Sequence, residues 1–164
     1  MNLSAFLLLP LGALATPTYG KAPIAKRYDN AVWAPGITGA AYDMCGTAAA
    51  EKVTDGFHSM FWDHGCQDIL NWSYNNQGEW VLDRTTDPTD DDNYHVLATN
   101  GSCAFLVKNT EPTSVGNKDV TDILTFIKNR DSHLNDSPPI EEKGSFQGCQ
   151  LNNTVDFWLR DSDF

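Results

Sequence analysis

Cysteine and histidine are the residue types in this chain whose chemistry would be most informative, and the sequence has four of each. Cys66 lies two residues after His64, so a thiolate–imidazole pair is one interpretation of that segment. Closeness in sequence is not evidence for such a pair, because the fold brings the two side chains together. The number of cysteines is even, so all of them can be paired in disulfides with no free thiol left. No C-x-x-C or H-x-x-x-H spacing indicates zinc. We predict no catalytic thiol and no metal site.

The remaining polar residues match no catalytic or cofactor-binding motif. The sequence contains no G-x-G-x-x-G, P-loop or G-x-S-x-G pattern. Its 22 acidic residues make paired carboxylates frequent by chance, and a glycosidase needs two at a defined distance. Segment 83–93 includes the run Asp90-Asp91-Asp92 but lacks the alternating ligands of a calcium loop, so it predicts a solvated loop. We therefore predict no catalytic residue, no cofactor and no enzymatic activity.

The N-terminus indicates the compartment. Residues Ala5 to Leu14 form an apolar run of signal-peptide length, and an A-x-A pattern predicts cleavage after Ala15. No later stretch reaches the eighteen apolar residues of a membrane span. The sequence therefore predicts a secreted, extracellular protein with a signal peptide over 1–15.

Residues 16–27 end in the basic pair Lys26-Arg27, which has two interpretations. It is either the processing site of a pro-segment or a solvated pair in a linker. Cleavage there would remove three basic residues and no acidic one, making the chain more acidic than its formal net charge of -11. That charge argues against nucleic acid and anionic membrane surfaces as partners, because both require clustered Lys and Arg.

Secretion changes the meaning of the cysteines, because disulfides persist in oxidising compartments. We predict two bridges, in one of three connectivities, among Cys45, Cys66, Cys103 and Cys149. Secretion also makes four N-x-S/T patterns into glycosylation candidates. These are Asn71, Asn100, Asn135 and Asn152, of which Asn135, in a polar loop, is favoured.

Periodicity predicts the elements that would position these residues. Cys66, Ile69 and Leu70 share one helical face, and residues 79–82 follow as a strand. Asn100-Gly101 between two β-prone runs predicts a hairpin with a type I′ turn. A second helix starts at Asn117, which can cap it, and carries an apolar stripe of Val120, Ile123, Leu124 and Ile127.

Two further β-prone segments follow the second helix. Residues 144–151 pass through Phe146 and Cys149, and Val155, Phe157 and Leu159 alternate after them. The fold class predicted is α+β, a disulfide-bonded two-layer sandwich with two helices packed on a mostly antiparallel sheet. Its organisation would be an extended arm over 28–44, one domain over 45–151, and a C-terminal strand or tail over 152–164.

A set of short motifs in fixed order resembles a known family. The set resembles the fungal secreted effectors of the extracellular-protein-two type, grouped as necrosis-inducing factors, over Cys45 to Gln150. Its motifs are Cys45-Gly46, Cys66-Gln67, Trp80-Val81, Ser102-Cys103-Ala104-Phe105, Val115-Gly116-Asn117-Lys118-Asp119-Val120 and Cys149-Gln150. The chain departs from the pattern at Leu106, where that family often has Gly.

The resemblance implies a secreted effector or toxin-like protein that acts on a host plant or a competing microbe, with a host or microbial protein or a cell-wall component as its partner. It offers no catalytic residue to transfer, and it implies a fold similar to the α/β sandwiches of fungal killer toxins. One alternative is a carbohydrate or cell-wall binding module, suggested by Trp33, Trp62, Trp72, Tyr74 and Trp158. The other is a secreted hydrolase that uses two carboxylates.

Overall fold

The computed structural model describes residues 31–37, 39–53, 64–85, 93–131 and 141–162. Several sequence predictions lie outside them: the signal peptide with Ala15, the segment ending in Lys26-Arg27, the glycosylation candidate Asn135, the run Asp90-Asp91-Asp92, and Trp62.

Antiparallel strands in the described residues form two sheets. The smaller sheet has the order β1-β3-β6, and the larger has the order β2-β7-β8-β5-β4. Helix α1 spans His64–Asn75 and helix α2 spans Asn117–Asp131. The strands are β1 Ala31–Pro35, β2 Thr47–Lys52, β3 Gly78–Leu82, β4 His95–Asn100, β5 Cys103–Asn109, β6 Thr113–Gly116, β7 Glu142–Cys149 and β8 Asn153–Asp161. The predicted α+β class is confirmed, with the strands divided between two sheets.

One apolar core joins both helices to both sheets. The predicted stripe of α2 is buried along its whole length, and Cys66, Ile69 and Leu70 of α1 face the same cluster. Each fully buried Leu or Ile contributes about 1.5–3 kcal/mol relative to an exposed one, so this stripe holds the helix in place. The larger sheet adds Phe105, Phe146 and Phe157, whose rings stack or tilt against one another.

Strand β5 is apolar on both faces. Cys103, Phe105 and Val107 lie in the main core, whereas Ala104 and Leu106 lie in a second buried cluster on the opposite face of the sheet. Tyr94, Val96 and Trp158 complete that second cluster. The strand pairs with β4 on one side and β8 on the other, which accounts for its burial.

The hairpin joining β4 and β5 is present, but its predicted turn type is wrong. Asn100 pairs with Cys103, so the two central residues of the turn are Gly101 and Ser102. Of these two, only Gly101 has a positive φ, 56°. Positive φ at the first central residue alone is the pattern of a type II′ turn, for which glycine is preferred at that position.

Two disulfides cross-link the described elements. Cys45, in the segment before β2, pairs with Cys149 at the end of β7, with a sequence separation of 104. Cys66 of α1 pairs with Cys103 of β5, with a separation of 37. No cysteine is free. The interpretation of Cys66 as a catalytic thiol is therefore excluded.

We expect loss of either bridge to destabilise the protein strongly. Closing loops of these lengths restricts the unfolded chain, by about 4 kcal/mol for Cys66–Cys103 and about 5 kcal/mol for Cys45–Cys149. Urea unfolding of the Cys66→Ala/Cys103→Ala and Cys45→Ala/Cys149→Ala double variants would measure both effects. An unfolding midpoint equal to that of the wild type would contradict the prediction for that bridge.

Candidate functional site

Asn117, at the start of α2, joins three segments that are distant in sequence. Its side-chain oxygen accepts the backbone N–H of Tyr42 at 3.1 Å and that of Gly78 at 3.4 Å. Its amide nitrogen donates to the carbonyl of Ser73 at 3.0 Å. The predicted role of Asn117 as a cap of its own helix is therefore wrong. The side chain ties the segment before β2, the end of α1 and the start of β3 to α2.

Asp119, in the first turn of the same helix, accepts hydrogen bonds from three backbone N–H groups. The donors are Gly116 at 2.8 Å, Met44 at 3.0 Å and Cys45 at 3.2 Å. The bond to Gly116 is the reach-back of a capping box, with Asp in the place of the usual Glu or Gln. The other two bonds fix the backbone of Cys45, so this carboxyl group positions the cysteine for its bridge with Cys149.

Asp119 is only 6% exposed, and this burial changes its acidity. The pKa of its carboxyl group is raised from 3.8 to about 6, chiefly because burial disfavours the charged form, and a hydrogen bond with Asp43 contributes to the rise. The N–H groups of Gly116, Met44 and Cys45 act in the opposite direction, because they stabilise the charged form. Loss of solvation is the larger effect.

The close approach of two backbones explains the glycine before this pair. A Cβ atom at Gly116 would lie 1.8 Å from the carbonyl oxygen of Tyr42. The same carbonyl accepts the backbone N–H of Lys118 at 3.1 Å. Within the motif Val115 to Val120, Gly116 therefore provides space, while Asn117 and Asp119 provide the bonds.

Of the two histidines in the described residues, one is exposed at a helix start and the other is buried and hydrogen-bonded. His64 begins α1 and is exposed. His95 is buried, with its Nε2 atom 3.2 Å from the hydroxyl of Thr85. Thr85 in turn accepts the backbone N–H of Asn109 at 3.0 Å, which fixes the segment after β3 against β5. Within the described ranges, no three His, Cys, Asp or Glu residues form a group that could hold a metal ion.

Three of the glycosylation candidates lie in the described residues, in different settings. Asn71 is exposed on α1, but the hydroxyl of Ser73 in its motif is buried and donates to the backbone of the helix. Asn100 donates to the carboxylate of Asp68 at 3.3 Å. Asn152 is exposed, with a φ of 63°. Their glycosylation stays a prediction.

Most of the aromatic residues proposed as a sugar-binding platform are used in packing. Trp33 and Trp72 lie 4.6 Å and 5.7 Å from the ring of the buried Trp80. Trp158 is buried, with the charged groups of Lys143 and Arg160 at 3.9 Å and 4.2 Å from its ring. Tyr74 is the exception, since 69% of it is exposed.

Tyr74 lines an open cleft of about 430 Å³, which we call the Tyr74 cleft. The end of α1 forms one wall, the first turns of α2 form another, and the segment before β2 forms the third. The described lining residues are Gly39, Ala41, Tyr74, Asn75, Gln77, Asn117, Lys118, Thr121 and Asp122.

The charged groups of the cleft form an ion pair. The ammonium group of Lys118 contacts Asp122 and lies 3.5 Å from Asp43. The hydrogen bond from Lys118 to Asp122 raises the pKa of Lys118. Asp122 is the one carboxylate among the described lining residues.

An apolar groove of about 480 Å³, the Phe126 groove, lies on another side of α2. Its described lining residues are Ala48, Ala49, Ala50, Asp122, Ile123 and Phe126, and Phe126 is 51% exposed. Strand β2, which lies at the edge of the larger sheet among the described strands, lines this groove with its three consecutive alanines. No helix in the described residues is long and apolar enough to cross a membrane.

Comparison with known proteins identifies one family. The model of the Hce2 family, described as pathogen effectors and proposed necrosis-inducing factors, matches residues 44–147. The match begins beside Cys45, covers both helices and the Asn117–Asp119 motif, and ends two residues before Cys149. No curated protein matches the chain at a significant level.

We expect Asp119 to make the stability of the protein depend on pH. Because its pKa is raised in the folded state, the folded protein binds a proton between about pH 4 and 6 that the unfolded chain releases. The protonation of Asp119 therefore adds up to about 3 kcal/mol to the free energy of unfolding. This contribution is complete below pH 4 and is lost as the pH rises through 6. Urea unfolding at a series of pH values would measure it.

The variant Asp119→Asn isolates this effect. The amide of the variant has only one oxygen to accept three N–H groups, so we expect the variant to lower the free energy of unfolding by about 1–3 kcal/mol. The loss should be larger at pH 4 than at pH 7, because an amide does not take up the proton. Asp43→Asn keeps Asp119 and removes the hydrogen bond that raises its pKa. It should move the pH dependence to lower pH. Equal losses for Asp119→Asn at pH 4 and pH 7 would contradict this assignment.

Proposed function

The chain belongs to the Hce2 family of pathogen effectors, and we propose that it is a secreted effector that acts outside the cell that produces it, on a host plant or a competing microbe, and induces necrosis. The observation that carries the proposal is the family match over residues 44–147. The matched segment contains the buried centre of the fold, with Asn117, Asp119 and three of the four bridged cysteines.

The disulfides and the N-terminal sequence support action outside the cell. Two bridges join all four cysteines, and such bridges form and persist in oxidising compartments. The predicted signal peptide over 1–15 would direct the chain there. Together with a buried core, the bridges would also protect the protein against unfolding and proteolysis in the extracellular space.

We further propose that the effector acts by binding and not by catalysis. Among the described residues, His95 bonds to Thr85, and the cysteines are paired. The Tyr74 cleft has one carboxylate among its described lining residues, whereas glycoside hydrolysis uses two. In the described part of the chain, the Tyr74 cleft and the Phe126 groove are two exposed features that could contact a partner, and α2 borders both.

Leaf infiltration tests this proposal. We expect the purified, disulfide-intact protein to produce lesions in a susceptible plant or to inhibit growth of a susceptible microbe. Reduced and alkylated protein should lose the activity, because the fold depends on the bridges. A matched control is Thr125→Ala, a change at an exposed position of α2, which should retain full activity.

Two outcomes would count against the proposal. The absence of lesions across several plant species, together with unchanged growth of several fungi, would leave no effector activity to explain. Equal activity of the native and the alkylated protein would show that the folded domain is not the active form.

A further inference from the structure

We propose that the Tyr74 cleft binds a neutral saccharide. This inference goes beyond the effector role and does not rest on it, because it depends on the chemistry of the cleft alone. At about 430 Å³, the cleft is within the range of small-ligand sites in proteins. Its lining combines one exposed aromatic ring with several polar groups, which matches the alternation of C–H faces and hydroxyls on a sugar ring.

Tyr74 provides the apolar surface. It is 69% exposed, although it belongs to a helix whose other large side chains, Ile69, Leu70 and Trp72, pack against the core. An aromatic ring left in water at the mouth of a cleft is available for stacking, and tyrosine adds a hydroxyl for hydrogen bonding. A ligand with a flat C–H face therefore fits this position.

The polar groups of the cleft offer donors and acceptors side by side. Lys118 and Asp122 are held together by their ion pair, which presents an ammonium donor next to a carboxylate acceptor. Two adjacent hydroxyls can match such a pair, one accepting from the lysine and the other donating to the aspartate. The side-chain amides of Asn75 and Gln77 each bond to the backbone of α1 and retain further hydrogen-bonding capacity.

Charge excludes the main competing ligand classes. The ammonium group of Lys118 already faces Asp122 and Asp43, so the cleft offers no net positive charge to an anion. The formal net charge of -11 repels phosphates and acidic polymers further. A purely apolar ligand would leave the polar lining groups without partners, which costs free energy. A neutral ligand rich in hydroxyls satisfies both constraints.

The walls of the cleft are fixed before any ligand arrives. Asn117 belongs to the α2 wall and bonds the backbone at Tyr42 and Ser73, so it holds the segment before β2 and the end of α1 against α2. Such preorganisation lowers the entropy cost of binding. The Phe126 groove is apolar in its described lining except for Asp122, so substitution of Phe126 provides a control for the substitution of Tyr74.

Titration with soluble oligosaccharides tests the inference. Chitohexaose, cellohexaose and laminarihexaose would be added to the folded protein, with binding measured by calorimetry and by NMR. We expect at least one of them to bind. Tyr74→Ala should weaken that binding at least about tenfold, and Tyr74→Phe, which keeps the ring, should retain most of it. Phe126→Ala, which removes an exposed ring of α2 outside the cleft, should have no effect.

The wild-type NMR spectra keep the test valid even if Tyr74→Ala misfolds. On addition of the oligosaccharide, the largest chemical-shift changes should occur at residues 74–77 and 117–122. Retention on insoluble chitin, cellulose or glucan would then show whether the polymer or only the free oligosaccharide is bound. Absence of binding by all three probes up to about 10 mM, where the association free energy is below about 3 kcal/mol, would overturn the inference. Loss of binding in Phe126→Ala, or shift changes confined to the Phe126 groove, would also overturn it.

Discussion

The bonds from three backbone N–H groups to Asp119 are the interaction on which the rest of the structure depends. They place the carboxyl group in the core, at the cost of removing it from water, and they fix Cys45 beside the helix start. Because Cys45 is bonded to Cys149, this contact also connects α2 to the end of β7 in the larger sheet. A single side chain thereby joins a helix, a strand and the segment between the two sheets.

The neighbouring Asn117 extends this centre to the smaller sheet. Apolar burial is not directional, so it favours a compact chain without specifying how two small sheets are placed relative to two helices. A buried amide or carboxyl group does specify this placement, since each unpaired polar atom would cost about 1–3 kcal/mol. The arrangement that brings Tyr42, Ser73 and Gly78 to Asn117 satisfies its oxygen and its nitrogen together.

Elements with local signals could be predicted from the sequence, whereas elements made by distant partners could not. Helix α2 shows its periodicity within its own fifteen residues, and β5 shows its apolar faces within seven. Strand β2, with the sequence TAAAEK, has no alternating pattern, and it forms because β7 lies beside it. Asn117 has a side chain that commonly caps helices, but its partners lie 75, 44 and 39 residues away. No local pattern contains that information.

The motif from Val115 to Val120 is likewise separate from the exposed surface of the protein. Gly116, Asn117 and Asp119 are buried, so they do not present a large surface to a partner, yet they determine where the exposed groups stand. Tyr74 ends up opposite Lys118 because Asn117 holds the last turn of α1 at Ser73. Substitution of an exposed residue such as Tyr74 would therefore change the surface of the cleft while the buried centre is kept. Resemblance carried by the buried motif consequently identifies the scaffold, and the chemistry of the cleft must identify the ligand.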